Sequence, residues 1–156
     1  MVQLRLDGVL WIPAGHPLHR SPPVASAADR LAMVRLATAG RPEYRVDASE
    51  VTSEDPSYTV PTLERLRHLH GRDRPLVLLV GADAFLGLAS WYRWRDILRL
   101  AHVAVASRPG FNLTADAMNA DLADEFRRRR KTRFTALSTV PAGVIFPFAM
   151  DAGTVS

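Results

Sequence analysis

The sequence predicts an α/β fold in which a parallel sheet is covered by helices on both of its faces. Two observations carry this prediction. Short apolar runs without the strict alternation of a half-exposed strand recur along the chain, and segments with helical spacing separate them. Strands that are apolar on both sides indicate a sheet buried on both sides, and intervening helices are the connections that a parallel sheet needs.

The amino-terminal third predicts a strand, a helix and a second strand. Residues 9–12 form an apolar run that Pro13 closes. Ser26 and Asp29 have the spacing of a capping box, so a helix is expected to follow them and to end near Gly40. Residues 44–46 are then expected to form a short strand.

A second helix is predicted after a polar loop over residues 53–57. Thr59 has the chemistry of an N-cap, Pro61 suits the first turn, and Gly71 ends the pattern. Three leucines at a spacing of three residues are expected to lie on one side of this helix: Leu63, Leu66 and Leu69.

The remaining sequence predicts three more strands. The clearest is residues 76–80, which lead into Gly81 and a short helical stretch. Residues 102–106 form another apolar strand, residues 114–131 are expected to form a surface helix with a basic tail, and residues 143–146 form a weaker strand. We therefore expect one domain over residues 1–156.

Composition excludes several classes of protein. The chain has 156 residues, 47% of them hydrophobic and 23% charged, which is ordinary for a globular domain. It has no cysteine, which removes disulfides and thiol nucleophiles, and no apolar run long enough to span a bilayer. We expect a cytoplasmic protein without a metal site of its own. The net charge of +4 fits either nucleic acid or phosphorylated small molecules.

Polar and basic residues follow the predicted strands. His19 and Arg20 lie in the loop after the first strand, Gly81 and Asp83 follow the third, and Arg108 follows the fourth. Because ligands of parallel sheets bind at the carboxyl ends of the strands, these residues are candidates for a binding site. His19 and Arg20 suit a phosphate, and Asp83 can accept hydrogen bonds from sugar hydroxyls.

Each of these residues also has a purely structural interpretation. His19 and Arg20 are equally well read as a solvated pair, and spacing alone favours Asp83 as a helix cap. Trp91 and Trp94 have the spacing of a helical core pair, although one of them could offer a stacking face. The run from Arg127 to Lys131 fits a solvated helix end better than an RNA site.

Five blocks in order resemble bacterial nicotinate mononucleotide adenylyltransferases, and the resemblance runs through most of the chain. The block Pro-Ser-Tyr-Thr-x-x-Thr-Leu and the Trp before the Arg-Pro-Gly turn are its specific parts, whereas Gly-x-Asp is not. The blocks are residues 11–20, 56–63, 80–83, 90–92 and 107–110.

The resemblance implies a Rossmann-like sheet and transfer of AMP from ATP to nicotinate mononucleotide, with Mg²⁺ and release of pyrophosphate, in NAD biosynthesis. It implies that His19 and Arg20 hold the mononucleotide phosphate. Thr59 and Val60 would line the pyridine-carboxylate pocket, partly through backbone N–H groups.

The same resemblance divides the remaining candidates between the two nucleotides. It implies that Trp91 stacks on the pyridine ring and that the Tyr92 backbone amide binds the carboxylate. Gly81 and Asp83 would contact the ATP ribose, and Arg108 the adenine region.

Two motifs of the family have no counterpart here. The His-x-Gly-His motif after the family's first strand is absent, and the Ile-Ser-Ser-Thr-x-x-Arg motif is cut at its beginning, with Val155 and Ser156 as its first residues. We therefore expect an incomplete domain that lacks the family's central first strand and contains none of the catalytic histidines. On this basis the chain alone is expected to be inactive and only marginally folded.

Two other functions fit the same residues less well. A related enzyme could use phosphopantetheine as acceptor, but an extended pantetheine arm needs no stacking platform such as Trp91. A noncatalytic nucleotide- or RNA-binding module would use the basic run from Arg127 to Lys131. The sequence does not choose between a monomer and a homo-oligomer.

Overall fold

A computed structural model describes residues 9–11, 27–40, 44–46 and 58–149 of the chain. The chain divides into two compact units, Met1–Tyr58 and Thr59–Ser156. Within the described ranges no helix combines the length and the apolar character needed to cross a bilayer.

The first unit is a strand, a helix and a second strand, as the sequence predicts. Strand β1 is Val9–Trp11, helix α1 is Ala27–Thr38, and strand β2 is Tyr44–Val46. The two strands are parallel, with Leu10 opposite Arg45. A parallel pair requires a long crossover between its strands, and this connection includes α1.

The second unit contains a three-stranded parallel sheet. Its strands are β3 (Val77–Gly81), β4 (His102–Ser107) and β5 (Ile145–Ala149), in the spatial order β3-β4-β5. Gly81 pairs with Ala106, and Ser107 pairs with Ala149. The carboxyl ends of all three strands therefore lie along one edge of the sheet.

Helices connect these strands. Helix α2 precedes β3, helices α3 and α4 connect β3 to β4, and helices α5 and α6 connect β4 to β5. Their bounds are Thr59–His70 for α2, Ala82–Leu86 for α3, Trp94–Leu100 for α4, Ala120–Arg129 for α5 and Ala136–Thr139 for α6. Short 3-10 turns at Leu88–Ser90 and Ala115–Ala117 lie within the two connections.

The core of this unit surrounds the central strand. His102, Val103, Ala104 and Val105 are all fully buried. Since successive strand residues point to opposite faces, both faces of β4 are covered, as the unbroken apolar run predicts. The helices contribute the larger side chains, among them Phe85 and Phe126, whose rings lie 6.0 Å apart.

The structure corrects the predicted helix over residues 114–131. A 3-10 turn occupies Ala115–Ala117, and α5 begins only at Ala120, after Asn119 accepts a hydrogen bond from the backbone N–H of Leu122 at 2.8 Å. Helix α5 is also more buried than a surface helix, because Leu122 and Phe126 pack into the core. A strong cap inside a helix-compatible sequence moved the start of the helix.

Candidate functional site

Gly81 ends β3 at the edge of the sheet where the candidate residues were expected. Its φ of −76° is accessible to any residue, and a Cβ built there would meet no described atom within 4 Å. Neither the backbone conformation nor packing against the described residues therefore requires glycine. Open space in front of the backbone at a strand end is what a close-approaching ligand needs.

Asp83 lies in the first turn of α3, two residues beyond Gly81, and its side chain is exposed. The interpretation of Asp83 as a helix cap is wrong, because the capping position is Gly81 and no side chain caps this helix. The Asp83 carboxylate makes no hydrogen bond or ion pair with any residue that the structure describes. Among the described residues, none occupies the acceptor capacity of this carboxylate.

Arg108 directly follows β4, the neighbour of β3. Its carbonyl oxygen accepts a hydrogen bond from the Phe111 N–H at 3.0 Å, and Gly110 has a φ of +84°. Proline followed by a glycine of positive φ is the type II turn pattern, so the Arg-Pro-Gly motif fixes where the exposed Arg108 leaves the strand. Asp83 and Arg108 thus follow adjacent parallel strands at the same edge.

Thr59 and Val60 begin α2. The Val60 side chain is fully buried in the core cluster, so only its backbone can reach a ligand, whereas Thr59 is half-buried. The first N–H groups of a helix have no acceptors within that helix, and the helix dipole favours an anion there. This geometry fits the expected binding of a carboxylate through backbone N–H groups.

Trp91 and Trp94 do not form a helical pair. Trp91 closes the 3-10 turn in an extended conformation, with its N–H donating to the Leu88 carbonyl at 3.0 Å, whereas Trp94 is the first residue of α4. Both indoles are half-buried against the core cluster. Tyr92 between them is 49% exposed.

One core cluster supports the candidate residues of the second unit. Val60, Phe85 and Leu88 belong to it, and Trp91 packs against it. The start of α2, the helix that carries Asp83, and the turn that carries Trp91 are therefore held by one set of buried side chains. His19 and Arg20 lie outside the described residues, and their role stays a prediction.

Arg93 is a residue of this region that the sequence did not indicate. It has a φ of 50° and a ψ of 43°, and it is the one described non-glycine residue with a positive φ. Its guanidinium group contacts Asp96 and Glu64. Neither the unusual backbone conformation of an arginine nor a contact across 29 positions leaves a pattern in the local sequence.

The basic run at the end of α5 is largely used within the fold. Arg128 donates to the buried Glu125 carboxylate at 2.6 Å, and Arg129 pairs with the other oxygen of that carboxylate and donates to the Gly143 carbonyl at 3.1 Å. Burial acts to raise the pKa of Glu125, but the ion pairs with Arg129 and Arg128 together outweigh it and leave the pKa lowered. The arrangement favours a structural helix end over a nucleic-acid site.

Comparison with known proteins gives a consistent family. The family model described as Cytidylyltransferase-like matches residues 2–145. A probable nicotinate-nucleotide adenylyltransferase of Dechloromonas aromatica (strain RCB) is 53% identical over 156 residues, which cover 100% of this chain and 72% of the relative.

Two further relatives carry the same name. The protein of Laribacter hongkongensis (strain HLHK9) is 44% identical over 99% of this chain and 68% of its own length. That of Hahella chejuensis (strain KCTC 2396) is 43% identical over 88% of this chain and 61% of its own length. The match to the Dechloromonas aromatica protein, at 100% of this chain, spans both compact units.

Proposed function

The chain belongs to the nicotinate-nucleotide adenylyltransferases within the cytidylyltransferase-like family, and from this membership we propose that its site transfers AMP from ATP to nicotinate mononucleotide. The products are deamido-NAD and pyrophosphate, in the biosynthesis of NAD. The observation that carries the proposal is the position of Asp83 and Arg108 at the ends of two adjacent parallel strands, beside the open space at Gly81.

The reaction needs alignment more than covalent chemistry. A phosphate oxygen of the mononucleotide forms a bond to the α-phosphorus of ATP, and the bond from that phosphorus to the bridging oxygen breaks as pyrophosphate leaves. Because both reactants are anions, cations and N–H groups must hold them in line. His19 and Arg20 are proposed to hold the mononucleotide phosphate, and Arg108 the adenine region.

The acceptor ring is proposed to lie between Trp91 and the start of α2. The pyridine ring of the mononucleotide is a cationic aromatic, which an indole face attracts. Its carboxylate would accept hydrogen bonds from the backbone N–H groups of Thr59, Val60 and Tyr92. A pantetheine arm offers neither the ring nor the carboxylate, so the half-buried Trp91 favours the pyridine nucleotide.

Mg²⁺ is proposed to enter with ATP. Magnesium is usually bound through substrate phosphates and one or two carboxylates and keeps several waters. Since Asp83 is assigned to the ribose, and no group of three or more potential metal ligands lies among the described residues, the ATP phosphates and water would hold the ion. When bound, the ion would neutralise charge on the triphosphate.

The proposal extends to location and partners. Phosphorylated substrates are costly to move across a bilayer because of their charge, so we place the enzyme in the cytoplasm, where ATP is available. Its partners are these two nucleotides, with no role for nucleic acid. A homo-oligomer is compatible with the proposal and is not required by it.

Protection against thermal unfolding tests the acceptor. Nicotinate mononucleotide is expected to raise the Tm of the chain, and phosphopantetheine at the same concentration is expected to leave it unchanged. A rise in Tm with phosphopantetheine and none with nicotinate mononucleotide would identify the pantetheine compound as the acceptor instead. Protection by neither ligand would contradict both acceptors.

Asp83→Asn tests the ATP side with almost no change in shape. Loss of a charge-assisted hydrogen bond to the ribose is expected to weaken ATP binding by about tenfold or more, without lowering the Tm of the free chain. Asp116→Asn, at an exposed acidic residue of the 3-10 turn, is the matched control. Equal ATP affinity of the two variants would remove Asp83 from the site.

A further inference from the structure

Arg93 holds a backbone conformation that its residue type disfavours. A residue with a Cβ rarely adopts the left-handed region, and Gly or Asn would occupy it at lower cost. At this point the chain turns from the extended Trp91 into helix α4. The orientation of Trp91 and Tyr92 relative to helix α4 therefore depends on the backbone conformation of Arg93.

The Arg93 side chain and backbone form a reciprocal pair of contacts with Asp96. The Arg93 carbonyl accepts a hydrogen bond from the Asp96 N–H at 2.9 Å, and its Nε donates to Asp96 Oδ2 at 2.8 Å. The guanidinium carbon also lies 5.9 Å from the centre of the Tyr92 ring. These contacts fix the turn against the first turn of α4, and the side-chain hydrogen bond to Asp96 raises the pKa of Arg93 above its ordinary value.

A second nitrogen of the same guanidinium group contacts a side chain of α2. Its Nη1 lies 3.4 Å from Glu64 Oε1. Glu64 lies about one helical turn beyond Val60, in the helix whose first N–H groups are proposed to bind the pyridine carboxylate. Arg93 thus connects the two segments that are proposed to enclose the acceptor ring.

We infer that Arg93 is a positioning residue for the acceptor pocket, setting the distance between the Trp91 indole and the amino terminus of α2. The inference rests on the proposed function, since the ligand it serves is a carboxylated pyridine mononucleotide. Its two ion pairs are partly exposed, with side-chain exposures of 42% for Arg93 and 47% for Glu64, and such pairs contribute little to stability. Their effect is therefore expected in acceptor binding.

Calorimetric titration of the full chain with nicotinate mononucleotide and, separately, with ATP tests this role. Arg93→Gln is expected to raise the Kd for the mononucleotide by about tenfold and to change the Kd for ATP less than about twofold. The reason is that a displaced Trp91 indole weakens stacking on the pyridine ring and leaves the ATP contacts unchanged. Arg93→Lys, which keeps the charge, is expected to restore part of the affinity. Glu64→Gln in the Arg93→Gln background is expected to add no further loss.

Arg95→Gln is the matched control for charge. Arg95 is also exposed, lies over the Trp94 ring at 4.9 Å and pairs with Asp121, so its replacement removes one positive charge from the same segment without touching the α2 contact. An equal loss of mononucleotide affinity in both variants would show attraction by charge alone and would overturn the positioning role. So would wild-type affinity in Arg93→Gln.

A measurement without ligand separates this inference from the proposed function. The indole N–H resonance of Trp91, assigned with Trp91→Phe, is expected to shift in Arg93→Gln and to stay in place in Arg95→Gln. An unchanged resonance in Arg93→Gln contradicts the inference whatever the chain binds. Failure of the unmodified chain to bind the mononucleotide contradicts the proposed function, and the resonance then decides the role of Arg93 in placing Trp91.

Discussion

Arg67 shows how one side chain can hold several backbone segments together. Its guanidinium group donates to the carbonyl oxygens of Gly71 at 3.0 Å and Pro141 at 3.2 Å, and also to those of Arg74 and Leu100. It thereby connects the ends of α2 and α4 with the loops before β3 and β5. Burial lowers the pKa of Arg67, and the nearby Asp73 opposes this effect.

Arg67→Met is expected to destabilise the second unit by about 2 kcal/mol, because partly buried carbonyl oxygens lose a charged donor. Arg72→Met, at an exposed position of the adjoining loop, is expected to change the free energy of unfolding by less than about 0.5 kcal/mol. Urea titration measures both values. Similar stabilities of the two variants would show that Arg67 does not hold these segments together.

His102 is fully buried at the start of β4. Its Nδ1 accepts a hydrogen bond from the Val144 N–H at 3.0 Å, so its Nε2 carries the proton and donates to the Val140 carbonyl at 2.8 Å. Burial lowers the pKa of His102 below its ordinary value of 6.5, the charge of Arg67 lowers it further, and the hydrogen bond to Val140 opposes part of this change. The folded state therefore favours the neutral form of the His102 ring.

A lowered pKa means that the unfolded chain takes up a proton first. The stabilisation by neutral His102 is complete above pH 6.5 and is lost as the pH falls from 6.5 towards the lower pKa of the folded state. The slope due to one such group is at most ~1.4 kcal/mol per pH unit. Urea unfolding between pH 5 and 8 is expected to show this slope in the unmodified chain and in the control His68→Gln, but not in His102→Gln. If His102→Gln retains the slope, groups other than His102 cause the pH dependence.

Helices α1 and α2 show what spacing can and cannot predict. Leu63 and Leu66 are buried as expected, but Leu69 is 70% exposed, so its placement on the same side is wrong. A step of three residues falls short of a full turn by about 60°, so two steps rotate a side chain by roughly 120° away from the first. In α1 the helical spacing of Leu31, Val34 and Ala37 predicts one apolar side, but Ala37 is exposed and its neighbour Thr38 is buried.

Helix α5 provides a test of where an element begins. Asn119→Ala is expected to cost about 1 kcal/mol, because its side chain accepts the hydrogen bond of the Leu122 N–H. Thr114→Ala is expected to cost much less, since no side-chain capping bond is made there. Chemical denaturation measures the free energy of unfolding of both variants. A larger loss in Thr114→Ala would support the predicted helix over residues 114–131 instead.

For the whole molecule, the proposed metal dependence separates chemistry from folding. Removal of Mg²⁺ with a chelator is expected to weaken ATP binding by at least tenfold, because the ion neutralises triphosphate charge. The Tm of the chain without ligand is expected to stay the same, since the ion is proposed to enter with ATP. Calorimetry and thermal unfolding measure the two effects, and a chelator that lowered the Tm would indicate a structural ion instead.

The expectation of one domain over residues 1–156 stays a prediction, as do the roles of His19 and Arg20. The parallel pairing of all five described strands is confirmed, and so is the family. Gly81, Asp83 and Arg108 could be located from the sequence because strand ends coincide with changes from apolar to polar residues. Their roles towards ATP remain proposals.

The sequence by itself determined the order of the five described strands, helices α1 and α2, and the position of Gly81, Asp83 and Arg108 at strand ends, because apolar periodicity and glycine or proline stops act over a few neighbouring residues. Only the tertiary structure decided that Arg93 takes a left-handed conformation and reaches Glu64, that His102 is buried between two loop segments, and that Asp83 caps nothing. The contacts of Arg93 with Glu64 and of His102 with Val140 join residues 29 and 38 positions apart. Such contacts form only when packing brings the segments together.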